Sequence, residues 1–255
     1  MIVCALENGQ QSSAATAYAL WLSQSLALPL RLDDTETHDE LIASAASSDA
    51  HLLVVGVQGT DSAQLEPVLS LVEAAQTPVV VLPPVATAAW GDPRRARRAT
   101  RPTAVCGADG SPSAADAAAI AGEIAARLGG RLVIVHAVTD PHRRGPAPSA
   151  EPIDRSSNPL RAWERSELLG RTVAQLRECP AEACFRELYG GPVEVLDGVA
   201  SAESAALIAV GSRGAGRART ALVGSIVASL LRRATRPVLV VPPRVTGVAG
   251  TKRSA

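Results

Sequence analysis

The sequence predicts an α/β protein of two tandem domains, each a doubly wound parallel sheet, with the first reduced by one strand and one helix. Three observations carry that prediction. Short runs of nearly pure Val, Ile, Leu and Ala alternate with helical patterns, as expected of parallel strands covered by helices on both faces. Long segments recur: QTPVVVLPP at 76–84 returns as TRPVLVVPP at 235–243, and DAHLLVVGVQG at 49–59 returns as SAALIAVGSRG at 204–214. The beginnings also correspond. MIVCAL at 1–6 matches TAVCGA at 103–108, and each leads to an Ala-rich helical stretch, at Ser13-Ala14-Ala15 and Ser113-Ala114-Ala115. The repeat is a whole domain, too long for a turn of a solenoid.

In order, the first unit (1–85) reads as strand 1–6, helix 13–26, strand 28–32, helix 37–48, strand 51–57, helix 63–75 and strand 78–82. Trp90-Gly91-Asp92-Pro93 and the five arginines Arg94, Arg95, Arg97, Arg98 and Arg101 show no apolar periodicity, so 86–101 reads as a solvated basic linker. The second unit (102–244) begins with strand 103–107, helix 112–128 and strand 131–138. A Pro-, Ser- and Arg-rich excursion at 139–158 follows, long enough to act as a lid, and then a helix at about 159–178. Strand 183–188, helix 192–203, strand 206–211, a helix at about 220–234 and strand 237–241 complete the unit, and 245–255 is a flexible tail.

Composition excludes several functions. Lys+Arg and Asp+Glu both number 25, so no net field draws the chain to nucleic acid or to anionic lipid. Six aromatics are too few for a base-stacking groove. Lys252 is the only lysine and lies in the tail, which removes a Walker A loop and a Schiff-base lysine. The four cysteines, Cys4, Cys106, Cys179 and Cys184, have no C-x-x-C spacing, and no apolar run approaches the roughly 20 residues that span a bilayer. The expectation is a cytoplasmic protein with reduced thiols and no membrane partner.

Ligands of open parallel sheets bind beyond the carboxyl ends of the strands, where the strand order reverses. Two loops of the second unit leave such ends: Gly107-Ala108-Asp109-Gly110-Ser111, and Gly211-Ser212-Arg213-Gly214 running on to Gly224-Ser225. The spacing Gly-x2-Gly-x9-Gly-Ser would let the backbone turn tightly and approach a ligand, while unpaired N–H groups at a helix start suit an anion. A polyphosphate would fit, with the Ser225 hydroxyl as a donor or a ligand to phosphate-bound Mg²⁺. Asp109 could accept hydrogen bonds from a ribose or base edge. Taken alone, Gly211 and Gly214 could equally do no more than shape a strand-to-helix turn.

These residues resemble the nucleotide-binding universal stress protein domain, a Rossmann-like fold. Its pattern G-2x-G-9x-G-(S/T), followed by a helix and a PVLVV-type last strand, is matched by VGSRG, Gly224-Ser225 and TRPVLVV over about 103–243. The resemblance implies ATP, with or without Mg²⁺, as the ligand. It implies that Asp109 meets the adenosine, that the Ala137 backbone contacts adenine, and that Gly211, Gly214, Gly224 and Ser225 form the phosphate loop with the Arg213 N–H facing the phosphates. The family's acid before the fourth strand is Ala206 here. The first unit resembles a degenerate member: Gly56-x2-Gly59 survives, but Leu69-Ser70 stands where Gly-Ser belongs, and Glu7 or Asn8 replaces the acid. One adenine nucleotide per chain is expected. The resemblance also implies pairing of the last strands, within one chain and in a homodimer.

An enzyme reading finds little support. His38, His51, His136 and His142 are scattered, and neither H-E-x-x-H nor G-x-S-x-G occurs. His136, in an apolar strand, reads as a hydrogen-bonded core histidine, and Cys179 with Cys184 as incidental neighbours. The expected function is an ATP-binding regulatory module with at most slow hydrolysis. The alternative is a nucleotide-free scaffold of the same fold acting through dimerisation and protein contacts.

Overall fold

A computed structural model of the chain describes residues 1–6, 14–34, 37–47, 49–57, 62–84, 86, 102–138, 179–214 and 223–243. The N-terminal half runs β1 (Ile2–Ala5), α1 (Ala14–Leu26), β2 (Leu30–Asp33), α2 (His38–Ser47), β3 (Leu52–Gly56), α3 (Ser62–Ala74) and β4 (Val79–Leu82). The C-terminal half runs β5 (Thr103–Gly107), α4 (Pro112–Arg127), β6 (Arg131–Val138), β7 (Glu182–Tyr189), α5 (Pro192–Ala202), β8 (Leu207–Gly211), α6 (Ser225–Arg233) and β9 (Val238–Val241). The expected linker beyond Ala86, the excursion at 139–158, the helix at 159–178 and the tail lie outside the described residues.

The nine strands of the described residues form one sheet in the order β2-β1-β3-β4-β9-β8-β5-β6-β7. Neighbours are parallel except β4 and β9, which run antiparallel with Val80 opposite Leu239. Each of these two strands therefore has a neighbour on both sides, and a homodimer made through the last strands finds no open edge there. β7 is the strand without a counterpart among the described residues of the N-terminal half.

The inner strands read as nearly unbroken apolar runs because helices cover both faces, whereas the edge strands β2 (LRLD) and β7 (EACFRELY) carry charged residues. α1 and α4 bury Tyr18, Leu22, Ile120 and Ile124 on one face, and α2, α3, α5 and α6 bury Leu41, Leu71, Leu196 and Leu230 on the other. Tyr18 ties the halves together: its hydroxyl donates to Ala206 O at 3.3 Å, and complete burial pushes the phenol pKa up. Cys179 packs against the α1–α4 face, close to Gly122, whereas Cys184 packs on the opposite face. That separation across the sheet keeps them from acting as a pair, and none of the four cysteines is in a disulfide.

At the edge of the C-terminal half, Glu203 caps α5 and accepts hydrogen bonds from Arg131 of β6 and Arg186 of β7. Burial alone would raise the Glu203 pKa, but the hydrogen bonds and charges of Arg186 and Arg131 outweigh it and hold the carboxyl below its ordinary value. A depressed folded-state pKa stabilises above the unfolded value, about 4.3, and the contribution disappears as pH falls through the folded value. Glu203→Gln should therefore flatten the acid limb of stability below about pH 4.3. Urea unfolding between neutral pH and pH 3 checks this, and identical pH slopes for the two proteins would refute it.

Candidate functional site

Within the C-terminal half the chain moves outward from β5 through β6 to β7, then returns to place β8 on the other side of β5. The carboxyl ends of β5, β6 and β8 consequently flank a crevice. A cleft of about 610 Å³ occupies it, within the ~300–1,000 Å³ usual for ligand sites. One wall is apolar, made by Val135, Ala137, Leu196, Val210 and Val227, and the rim is polar, made by Asp109, Ser111, Arg213 and Ser225 with the backbone of Gly211, Gly214 and Gly224. All seven residues singled out by the sequence, Asp109, Ala137, Gly211, Arg213, Gly214, Gly224 and Ser225, line this one cleft.

Each rim residue is held by its local structure. The Asp109 carboxylate accepts the Ser111 N–H at 2.9 Å across a turn in which Gly110 takes φ 80°, a conformation that favours glycine. Ser111 caps α4, its hydroxyl accepting the Ala114 N–H at 3.2 Å, with Pro112 preset for the first turn. The glycine loop leaves β8 with the Ser212 N–H donating to Val241 O at 2.8 Å, and it closes where the Gly224 N–H donates to Ser212 O at 3.1 Å. Residues 215–222 between these points lie outside the described residues.

α6 starts at Ser225, later than the expected position near 220, because Gly224 is extended (φ −62°, ψ 143°) and serves as its N-cap. Among the described residues no side chain caps that end, and Ser225, Ile226 and Val227 of the first turn line the cleft. Arg232 and Arg233 in the last turn suit the opposite pole of the helix dipole.

None of Gly211, Gly214 and Gly224 adopts a positive φ, so what distinguishes these positions is the space around them. A Cβ on Gly211 would lie 2.6 Å from Ser113 C and 2.7 Å from Ala114 N, so β8 ends pressed against the first turn of α4. A Cβ on Gly214 would meet Asp109 Oδ2 at 2.9 Å, and one on Gly224 would meet, among the described residues, only Ser212 O, at 3.5 Å. Gly211 is thus a packing requirement, and Gly224 keeps space open.

His136 does accept the core role in part: its Nδ1 lies 2.7 Å from Ala108 O, yet the residue also lines the cleft. Sequence reasoning missed Ser113, Pro192, Leu196 and Val227. The Ser111-Pro112 pair was a readable helix-start signal, and it leads directly to Ser113, whereas Leu196 enters through α5 packing that no local pattern encodes. In the N-terminal half, α3 already begins at Ser62, and Leu69 lies within it, packed against the core. Gly59, Glu7 and Asn8 lie outside the described residues.

Comparisons with known proteins fit this architecture. The model of the universal stress protein family matches residues 101–242. A universal stress protein of Mycolicibacterium smegmatis is 31% identical over 226 residues, covering 82% of this chain and 69% of its own length. Among solved structures, a universal stress protein from Archaeoglobus fulgidus DSM 4304 superposes with a TM-score of 0.56 at 16% identity, covering 94% of this chain and 96% of its own. A functionally unknown protein from Pseudomonas aeruginosa PAO1 gives a TM-score of 0.53 at 15% identity, covering 95% and 81%, and these two likenesses speak for the fold. With a family model spanning more than half of the sequence and a relative aligned well into the N-terminal half, this chain belongs to the universal stress protein family.

Proposed function

We propose that the chain is a regulatory adenine-nucleotide-binding module that holds one ATP in the cleft of its C-terminal half. The observation that carries this reading is the convergence of Asp109, the glycine loop and the uncapped start of α6 around a single cleft with an apolar wall. An adenine ring suits the wall of Val135, Ala137 and Leu196, the ribose suits Asp109, and the phosphates suit the N–H groups of Arg213, Gly214 and the first turn of α6. The Ser225 hydroxyl would serve the terminal phosphates and a Mg²⁺ arriving with them. Among the described residues no group of three or more His, Cys, Asp or Glu side chains could hold a metal of its own.

We read the site as binding rather than catalytic because its carboxylate and its imidazole have structural engagements. The Asp109 carboxylate takes the Ser111 N–H, and His136 pairs with Ala108 O. Among the described residues no helix is long and apolar enough to cross a membrane, and the reading includes a cytoplasmic location. Residues 1–85 form a copy that does not bind, since Leu69 sits inside α3 where the motif needs a glycine.

Calorimetric titration with ATP should give one site per chain. Two equivalent sites would overturn the assignment of the N-terminal half, and no binding at all would leave the nucleotide-free scaffold as the function.

A further inference from the structure

Ser113 lies in the first turn of α4, is 3% exposed, and is absent from the cleft lining. Its hydroxyl donates to Arg213 O, a carbonyl one hundred residues away in the glycine loop. The Ser111 hydroxyl, which accepts the Ala114 N–H, donates to the same carbonyl over a longer 3.3 Å and lies 3.3 Å from Ser113 Oγ, so Ser113 is the nearer of two donors. A serine hydroxyl has one proton to give, and that of Ser113 is committed to the loop.

From this geometry we propose that Ser113 is a positioning residue that latches the Arg213–Gly214 peptide and thereby gives the cleft its preference for an anionic group. The inference rests on the nucleotide reading above. A trans peptide is planar, so its C=O and the following N–H point in opposite directions. With Arg213 O drawn onto α4, the Gly214 N–H is turned away from α4, and the negative end of the carbonyl dipole is kept off the phosphates. A latch is needed because residue 214 is glycine, whose backbone freedom makes rotation of that peptide plane inexpensive. The contact is held at short range by Gly211, whose missing side chain lets the loop sit against Ser113 and Ala114. Once released, the carbonyl can turn toward the ligand and replace a donor with an acceptor, a change that affects a phosphate and leaves a nucleoside untouched.

The test compares ATP with adenosine on the full chain. Ser113→Ala should weaken ATP about tenfold while holding adenosine within about twofold, because only ATP carries phosphates to the latched peptide. A purely structural role would weaken both alike, and that result, or unchanged ATP affinity, would overturn the proposal. Crystal structures of the parent chain and of Ser113→Ala, without nucleotide, provide a readout that does not depend on binding. The latch requires the Arg213 carbonyl to leave its orientation toward α4 in the variant, and an unmoved peptide would refute it. If the parent chain binds neither ATP nor adenosine, the nucleotide reading fails, and the peptide orientation in the two crystal structures still decides the latch.

Discussion

Gly211→Ala is expected to destabilise the chain by about 1–3 kcal/mol, the usual cost of forcing atoms into a filled interior, and to abolish tight ATP binding. The added methyl has nowhere to go. Its nearest neighbours include Ser113 C at 2.6 Å and Ala114 N at 2.7 Å, which are backbone atoms that no rotamer change can move aside. The end of β8 would have to part from the start of α4, carrying with it both the Arg213 carbonyl and the rim of the cleft. Equilibrium denaturation together with titration checks both halves of the expectation. A midpoint equal to that of the parent chain would show the seam to be slack.

Gly224→Val should give the opposite signature, with the fold preserved and ATP affinity lowered at least about tenfold, or about 1.4 kcal/mol. At φ −62° any residue is comfortable, and among the described residues the Cβ would make only an ordinary 3.5 Å contact with Ser212 O. Valine is a poorer N-cap than glycine, so stability should fall by no more than about 1 kcal/mol. The branched side chain, however, fills the space before the α6 N–H groups. Wild-type affinity in a folded Gly224→Val protein would reduce Gly224 to a spacer. Two glycines of one motif are thus set apart by experiment, one serving the packing of the chain and the other the approach of a ligand.

Much of the architecture was legible because strands buried on both faces must be continuous apolar runs, and those runs stand out between Ala-rich helices. VVVL at β4 and VLVV at β9 declare themselves in this way. The residues of the cleft were legible because their spacing is local: Gly211, Gly214, Gly224 and Ser225 are close in sequence. What the sequence withheld depends on tertiary placement. The start of α6 is decided by the extended Gly224 and its hydrogen bond to Ser212 O, which helix propensity does not register. Ser113 looks like one more small residue in an Ala-rich helix until α4 is laid against β8. The packing of Gly211 against α4 was hidden for the same reason, because crowding by a neighbouring element is invisible in a loop read on its own.

The antiparallel contact between β4 and β9 has a consequence for how the two halves are free to differ. If such a contact joined two identical subunits about a two-fold axis, both would carry the same cleft, and every substitution would appear on both sides. It would also come apart on dilution. Here both strands belong to one polypeptide, so the contact forms within a single molecule, whatever the amount of protein present. Loss of a glycine motif from one half then leaves association intact and the other cleft unchanged. The fused chain can vary one partner while conserving the other, a freedom that symmetry denies to a dimer.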